Sequence, residues 1–296
     1  MYKQFLTFGL VWSDLVKVDQ YNFQNDKNYS LNEDFNFDNL TKGEYAIITD
    51  PQLGMFNAYY NPNPEDSWDV ELENFYNALA YLQEKVDFVI ITGDLVNEYE
   101  NLSIQTSQKN DLRRAIEASD LPILVMPGNH DLGNGFYYSD LKRYRDFWGQ
   151  DYYHFIYRNQ AFMVLDTQLW KNEVGSRDMK QLANDQIDWV NRTLQNLPET
   201  LDRINVFMHV PFFTHSLDED EYHDDLPVKY RTQVFNLFTS TKIKTSIFSG
   251  HTHLARDTGD FENVEFMRIN NALSVSRDLP DNSETWDIGE DFILSW

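Results

Sequence analysis

Six short apolar runs punctuate this sequence: Tyr45–Ile48, Phe88–Ile91, Ile123–Met126, Phe162–Leu165, Val206–Met208 and Ser246–Phe248. Each has the length of a strand, and hardly any position in them alternates apolar with polar. A sheet with one wet face writes alternation into its strands, so runs like these belong to strands covered on both faces. Something must do the covering. Leu72, Phe75, Leu79 and Leu82 recur at three and four residues and share one helix face, and a second such pattern runs from Met179 to Leu194 with Leu182, Trp189 and Val190 inward. Strands alternating with helices imply an α/β or α+β sandwich in a single domain, and the chain shows no internal repeat or linker that would divide it.

The polar residues that follow these runs carry the chemical information. Asp50 and Gln52 come directly after the first run, Asp94 after the second, Asn129 and His130 after the third, His209 after a later one, and His251 and His253 after the last. Ligand sites in sheets of parallel strands collect at the carboxyl ends of those strands, so residues far apart in sequence are expected to converge. Each pair has a plainer reading as turn punctuation, because Asp-Pro, Gly-Asp and Gly-Asn mark turns on their own account. Five separate clusters, all at strand ends and all offering oxygen or nitrogen donors, are not explained by punctuation. Carboxylate, carboxamide and imidazole together suit Mn, Fe, Zn or Mg, and a carboxylate such as Asp94 can bridge two ions. Glycines stand before Asp94, Asn129 and His251, where the backbone has to turn and approach closely.

Composition agrees with a cation-dependent site. The 296 residues carry a formal net charge of -24, yet 42% are hydrophobic, which is the balance of a packed protein with an acidic surface. Such a surface disfavours nucleic acid and anionic membrane, and a phosphate-bearing substrate would need positive charge from bound ions. There is no cysteine, which removes disulfides, thiolate metal sites and cysteine nucleophiles. No stretch reaches the ~18 consecutive apolar residues of a membrane span. Met1–Trp12 lacks the cleavage site of a signal peptide, so a cytoplasmic protein is the expectation, with export through an atypical leader as its alternative. Oligomeric state is not written in the sequence. Residues 1–43, rich in Asn and Asp over 13–42, read as a lead-in that packs through Tyr21, Phe23 and Phe35, ahead of a domain over 44–296.

Asp50-Pro51-Gln52, Gly93-Asp94, Gly128-Asn129-His130-Asp131, His209 with Pro211, and Gly250-His251-Thr252-His253 together resemble the five signature blocks of the calcineurin-like metallophosphoesterase superfamily, in family order over about residues 44 to 254. The runs Gly128–Asn134, Trp148–Tyr153 and Ser216–Asp220 extend the likeness to a branch of serine/threonine phosphatase type. The resemblance implies a four-layer β-sandwich flanked by helices and a centre of two divalent ions. One ion would be held by Asp50, Gln52, Asp94 and His253, the other by Asp94, Asn129, His209 and His251. It also implies a catalytic role for His130, supported from behind by Asn97 and Asp131. The implied reaction is hydrolysis of a phosphomonoester on a small molecule or phosphoprotein, by attack of a metal-bound hydroxide. Phosphodiester or cyclic nucleotide hydrolysis uses the same ions, and a binding scaffold that has lost catalysis is the third possibility.

Two positions depart from the family pattern. Most members have His in place of Gln52, and an amide oxygen is a weaker donor than imidazole. Many have Asp in place of Asn97, so a neutral partner would hold His130 here. Other histidines have blander roles: His154 reads as a half-buried strand residue, and His215 and His223 as parts of a solvated acidic loop, Leu217–Asp225, that would favour basic or neutral peptide surroundings. Trp286–Trp296 offers one short strand, Phe292–Leu294.

Overall fold

The computed structural model describes residues 40–55, 68–133, 135–171, 177–220, 224–253, 256–261, 263–268, 286–288 and 291–293. Tyr21, Phe23, Phe35, Asn134, His223 and Leu294 lie outside them. Two sheets form the centre. The first has the order β10-β11-β1-β2-β3, with β1 (Tyr45–Ile48), β2 (Phe88–Ile91), β3 (Ile123–Val125), β10 (Trp286–Ile288) and β11 (Asp291–Ile293). The second runs β4-β5-β6-β7-β9-β8, with β4 (Tyr153–Tyr157), β5 (Gln160–Leu165), β6 (Arg203–Met208), β7 (Lys244–Ser249), β8 (Arg256–Phe261) and β9 (Val264–Arg268).

The six apolar runs all become strands, and all but β3, which lies at one edge of the first sheet, have a paired strand on either side. β1, β2 and β3 pair in parallel, with Ile48 beside Ile91 and Ile91 beside Val125. β5, β6 and β7 do the same, with Leu165 beside Met208 and Met208 beside Ser249. In-register parallel pairing brings the carboxyl ends of neighbouring strands to one edge of each sheet. Antiparallel strands occur only at the margins, where β4, β8 and β10 turn back on β5, β9 and β11.

Aromatic rings join the sheets. Tyr45 and Phe88 of the first sheet meet Phe162 of the second edge-on at 5.1 and 5.5 Å, and Phe162 stacks on Phe155 and Phe207. Pairs of this geometry contribute ~0.5–1.5 kcal/mol each beyond the area they bury. Helices complete the four layers: α1 (Asp69–Leu82), α2 (Leu102–Ala118), α3 (Asn129–Leu132), α4 (Tyr138–Trp148), α5 (Gln168–Lys171), α6 (Arg177–Asn196) and α7 (Val228–Thr241). Phe75, Leu79 and Leu82 of α1 and Leu182, Trp189 and Val190 of α6 are buried, as their spacing requires.

The structure adds elements that the apolar pattern does not announce. α2 turns Gln105, Gln108 and Lys109 inward beside Leu112 and Ile116, so its buried face is half polar and has no clean apolar stripe. Near the end of the chain the expected strand at Phe292 is joined by a second one, Trp286–Ile288, and the pair adds to the edge of the first sheet beside β1. His154 is fully buried rather than half-buried, with its ring against Trp189 at 5.8 Å.

Candidate metal centre

All five sequence clusters arrive at one place, where the carboxyl ends of β1, β2 and β3 face those of β6 and β7. His209 directly follows β6, and Gly250, which follows β7, donates its N–H to the His209 carbonyl at 3.1 Å. The loops after β1 and β2 are tied by Gln52 N–H to the Asp94 carbonyl, 2.8 Å, and by a single bridge between Leu53 and Val96. Backbone strain is concentrated here. Asp50, Gln52, Asp94, His251 and His253 all have positive φ, between 35° and 68°. Such conformations cost a non-glycine residue of order 1–3 kcal/mol and persist where the surroundings dictate them.

Glycine makes the close approach possible. A Cβ on Gly93 would lie 2.8 Å from both the Gly128 nitrogen and His209 Nδ1, and one on Gly128 would run into the Asp94 carboxylate. These are the contacts by which the second and third strand loops nest together. Asp131 fixes the same junction, since its carboxylate accepts the N–H of Gly128 at 2.8 Å and of Leu95 at 3.2 Å.

Three donor atoms gather close to a fourth, His209 Nε2. His209 Nε2 lies 3.0 Å from Asn129 Oδ1, 3.3 Å from Asp94 Oδ1 and 3.2 Å from His251 Nδ1. Atoms each roughly 2.1 Å from a shared ion stand about 3 Å apart when they subtend a right angle at it, so these spacings fit a common cation. The opposite nitrogen, His209 Nδ1, is 2.9 Å from the Thr92 carbonyl, which makes Nδ1 the donor and leaves the Nε2 lone pair turned inward. A second group shares Asp94: donor atoms of Asp50, Asp94 and His253 lie within 4.8 Å of one another, as do those of Asp94, His209 and His251. His253 Nε2 is 3.3 Å from Asp50 Oδ1. Gln52 is buried beside them. Two overlapping sets of oxygen and nitrogen donors with a common carboxylate fit a pair of divalent ions.

The charges demand cations. Asp50 and Asp94 are both buried, and two carboxylates without compensation would be costly there. Burial opposes ionisation of Asp94, but the neighbouring imidazoles of His209, His130 and His251 outweigh it and hold the carboxyl well below its ordinary range. His209 shows the converse: burial disfavours its charge, yet Asp94 and Asp50 push its pKa up to about 9. Burial and the facing His209 push His251 down to about 4. Burial, reinforced by Asp94, raises Asp131 to about 7.

His130 stands beside this cluster and is partly exposed. Its N–H bonds Asp94 Oδ1 at 2.8 Å, its Nδ1 is 2.5 Å from the Asn97 carbonyl, and its Nε2 reaches to 4.0 Å from Asp94 Oδ2. Asn97 thus supports the imidazole through its main chain. Tyr99 packs edge-to-face on the ring at 5.2 Å. His154 and His215 do not join the cluster; the His215 N–H is bonded to Glu219.

Several supporting residues carry no motif of their own. Gln105 of α2 donates to the carbonyls of His130 and Asp131 at 3.2 and 3.5 Å and accepts from buried Lys109. Gln108 accepts the N–H of Glu98 at 2.9 Å. The polar inward face of α2 therefore braces the loops that present Asp94 and His130. No motif in the sequence marks this role, and the buried face of α2 has no clean apolar stripe to announce it.

This fold, with acidic and imidazole donors converging at strand ends, defines a metal-dependent phosphoesterase. The chain belongs to the calcineurin-like phosphoesterase family, whose profile matches residues 44–255, and the family works with a dinuclear divalent metal centre. Among its relatives, Serine/threonine-protein phosphatase CPPED1 of Homo sapiens is 30% identical over 238 residues, covering 76% of this chain and 74% of that protein. The Danio rerio protein of the same name is 30% identical over 218 residues, 71% of this chain and 69% of its own. Of solved structures, a dimetal phosphatase from Danio rerio superimposes with a TM-score of 0.57 at 16% identity, over 77% of this chain and 87% of that one. GAP50, the anchor in the inner membrane complex of Plasmodium, gives 0.52 at 15% identity, over 79% and 72%. These two likenesses concern the fold. Among the described residues no helix is long and apolar enough to cross a membrane.

Proposed function

We propose that the chain is a phosphomonoesterase acting on phosphoserine or phosphothreonine in proteins, with residues 44–296 as the catalytic domain and 1–43 as a lead-in. In this reading Asp50, Gln52, Asp94 and His253 hold one divalent ion and Asp94, Asn129, His209 and His251 the other. The observation that carries it is the set of three donors 3.0 to 3.3 Å from His209 Nε2. The substrate class rests on the 30% identity to phosphatases named for serine and threonine. Manganese, iron, zinc and magnesium all suit such donors, and the amide of Gln52 tilts its site towards the harder ions.

Two ions held by these residues would supply a clamp for phosphoryl oxygens and a nucleophile usable at neutral pH. The protein supplies orientation and a proton. Because the Asn97 carbonyl accepts from Nδ1 of His130, that nitrogen keeps its hydrogen, which leaves Nε2 as the ring nitrogen able to face a substrate. Nε2 points along the Asp94 side of the cluster, where an imidazolium would stabilise charge on the phosphoryl oxygens and deliver a proton to the departing serine or threonine oxygen. Tyr99 limits the tilt of the ring. No side chain is required to form a bond to phosphorus.

The test compares p-nitrophenyl phosphate with bis-p-nitrophenyl phosphate and with phosphoserine and phosphothreonine peptides, using chelator-stripped protein refilled with manganese. Monoester and phosphopeptide turnover, lost in Asp94→Asn and His130→Ala, is the expected result. Preference for the diester would replace the proposed substrate class, and bound metal without turnover on any of them would assign a scaffold.

A further inference from the structure

His251 has two ring nitrogens with different surroundings. Nδ1 faces His209 Nε2 inside the cluster. Nε2 faces outward, and 3.9 Å beyond it lies Oδ1 of Asp224, an otherwise exposed residue at the end of the acidic loop. A gap of this size suits one bridging water or a small side-chain rotation.

The position of Asp224 is set by its neighbours. Asp225 and Leu226 are wholly buried. The Leu226 N–H bonds the Pro211 carbonyl at 3.0 Å, just past His209, and Lys171 of α5 donates to the Asp225 carbonyl. Arg231 of α7, also buried, completes the clamp: its Nη1 is 3.7 Å from Asp225 Oδ2 and 4.0 Å from Glu219 Oε1, and it donates to the carbonyls of Phe212 and Glu219. Helices α5 and α7, with the Leu226–Pro211 bond, therefore fix Asp225 and Leu226 and hold Asp224 at the outer edge of His251.

We infer that Asp224 is the positioning carboxylate of His251, accepting from its Nε2–H so that Nδ1 presents its lone pair to the ion. The inference rests on the two-ion reading above. A metal-bound imidazole usually donates its other N–H to a carboxylate, carbonyl or water, which fixes the tautomer and raises the basicity of the ligating nitrogen. Thr92 does this for His209; Asp224 does it for His251. The acidic loop so acquires a definite task at the centre, carried by one carboxylate and not by its overall charge.

The test is calorimetric titration of manganese into chelator-stripped full-length protein, comparing wild type with Asp224→Asn, Asp224→Glu and, as a control for loop charge, Asp220→Asn. Binding of two ions by wild type is expected, with one of the two steps about tenfold weaker in Asp224→Asn, largely restored in Asp224→Glu and unmoved in Asp220→Asn. Substrate KM at saturating manganese should stay at the wild-type value in all three variants. Two ions bound equally well by Asp224→Asn, or an equal loss in Asp220→Asn, would overturn the inference while leaving the two-ion reading intact. Fewer than two ions in wild type would overturn both.

Discussion

Asp94 accepts the N–H of His130, faces His209 and lies against Gly128, so one side chain joins three of the five clusters. At this scale the proposed division of labour separates cleanly. His130→Ala removes an imidazole that lies outside the donor sets, and kcat is expected to fall by about 10²–10⁴-fold. Manganese stoichiometry in the same variant should stay at the wild-type value; a loss of metal would move His130 into the ligand set. Gly93→Ala tests the packing of the loops themselves. Gly93 has φ of 90°, and the added methyl would press on the Gly128 nitrogen and on His209. A loss of at least about 2 kcal/mol in urea unfolding is expected, the size typical of a strained backbone position combined with overpacking. Unchanged stability would mean that the nested loops are looser than the contacts require.

Among the elements, α4 and the β4–β5 hairpin are joined by a buried charge cluster centred on Asp151 of the Trp148–Tyr153 run. Arg145 of α4 gives a two-pronged pair to Asp151, Nε to Oδ1 at 2.7 Å and Nη2 to Oδ2 at 2.8 Å. Asp166, just past β5, adjoins the same carboxylate and accepts the Gln168 N–H at 2.9 Å. Burial first, then the charge of Asp151, raises the Asp166 pKa well above its ordinary 3.8. A carboxyl that stays protonated in the fold but ionises in the unfolded chain costs native stability progressively as pH rises past 3.8. Asp166→Asn removes that slope, so its stability relative to wild type should improve between pH 4 and pH 8. A relative loss with rising pH would show that Asp166 is ionised in the fold. Asp151→Ala, by contrast, strands the Arg145 charge and should cost ~3–5 kcal/mol. The elements readable from sequence were those with apolar logic, such as Phe75, Leu79 and Leu82 on α1. The helix α2 was not readable, because Gln105, Gln108 and Lys109 spend its inward face on bracing the site. Nor did the sequence distinguish the side chain of Asn97 from its carbonyl as the support for His130, since main-chain partners leave no compositional trace.

For the whole molecule, a net charge of -24 sets the terms. Two divalent ions would neutralise the buried carboxylates of Asp50 and Asp94, and they would bind the folded chain in preference to the unfolded one. Each site stabilises by roughly 2.7 kcal/mol when its ion is present at a hundredfold over Kd. Thermal melts should therefore rise by several degrees on adding manganese to stripped protein, and Asp94→Asn should abolish most of the rise. The site was legible at this scale because the parallel strands deliver their carboxyl ends to one edge, so local sequence clusters became one spatial cluster. The route of the chain between them, including the return of β10 and β11 to the first sheet, depends on distant pairing that short-range patterns do not encode.

The most direct measurement is anomalous diffraction from crystals of the full chain grown with manganese. Two peaks should lie on either side of the Asp94 carboxylate, one contacting Asp50, Gln52 and His253 and the other Asn129, His209 and His251. A single peak, or two that bypass Asp94, would contradict the account.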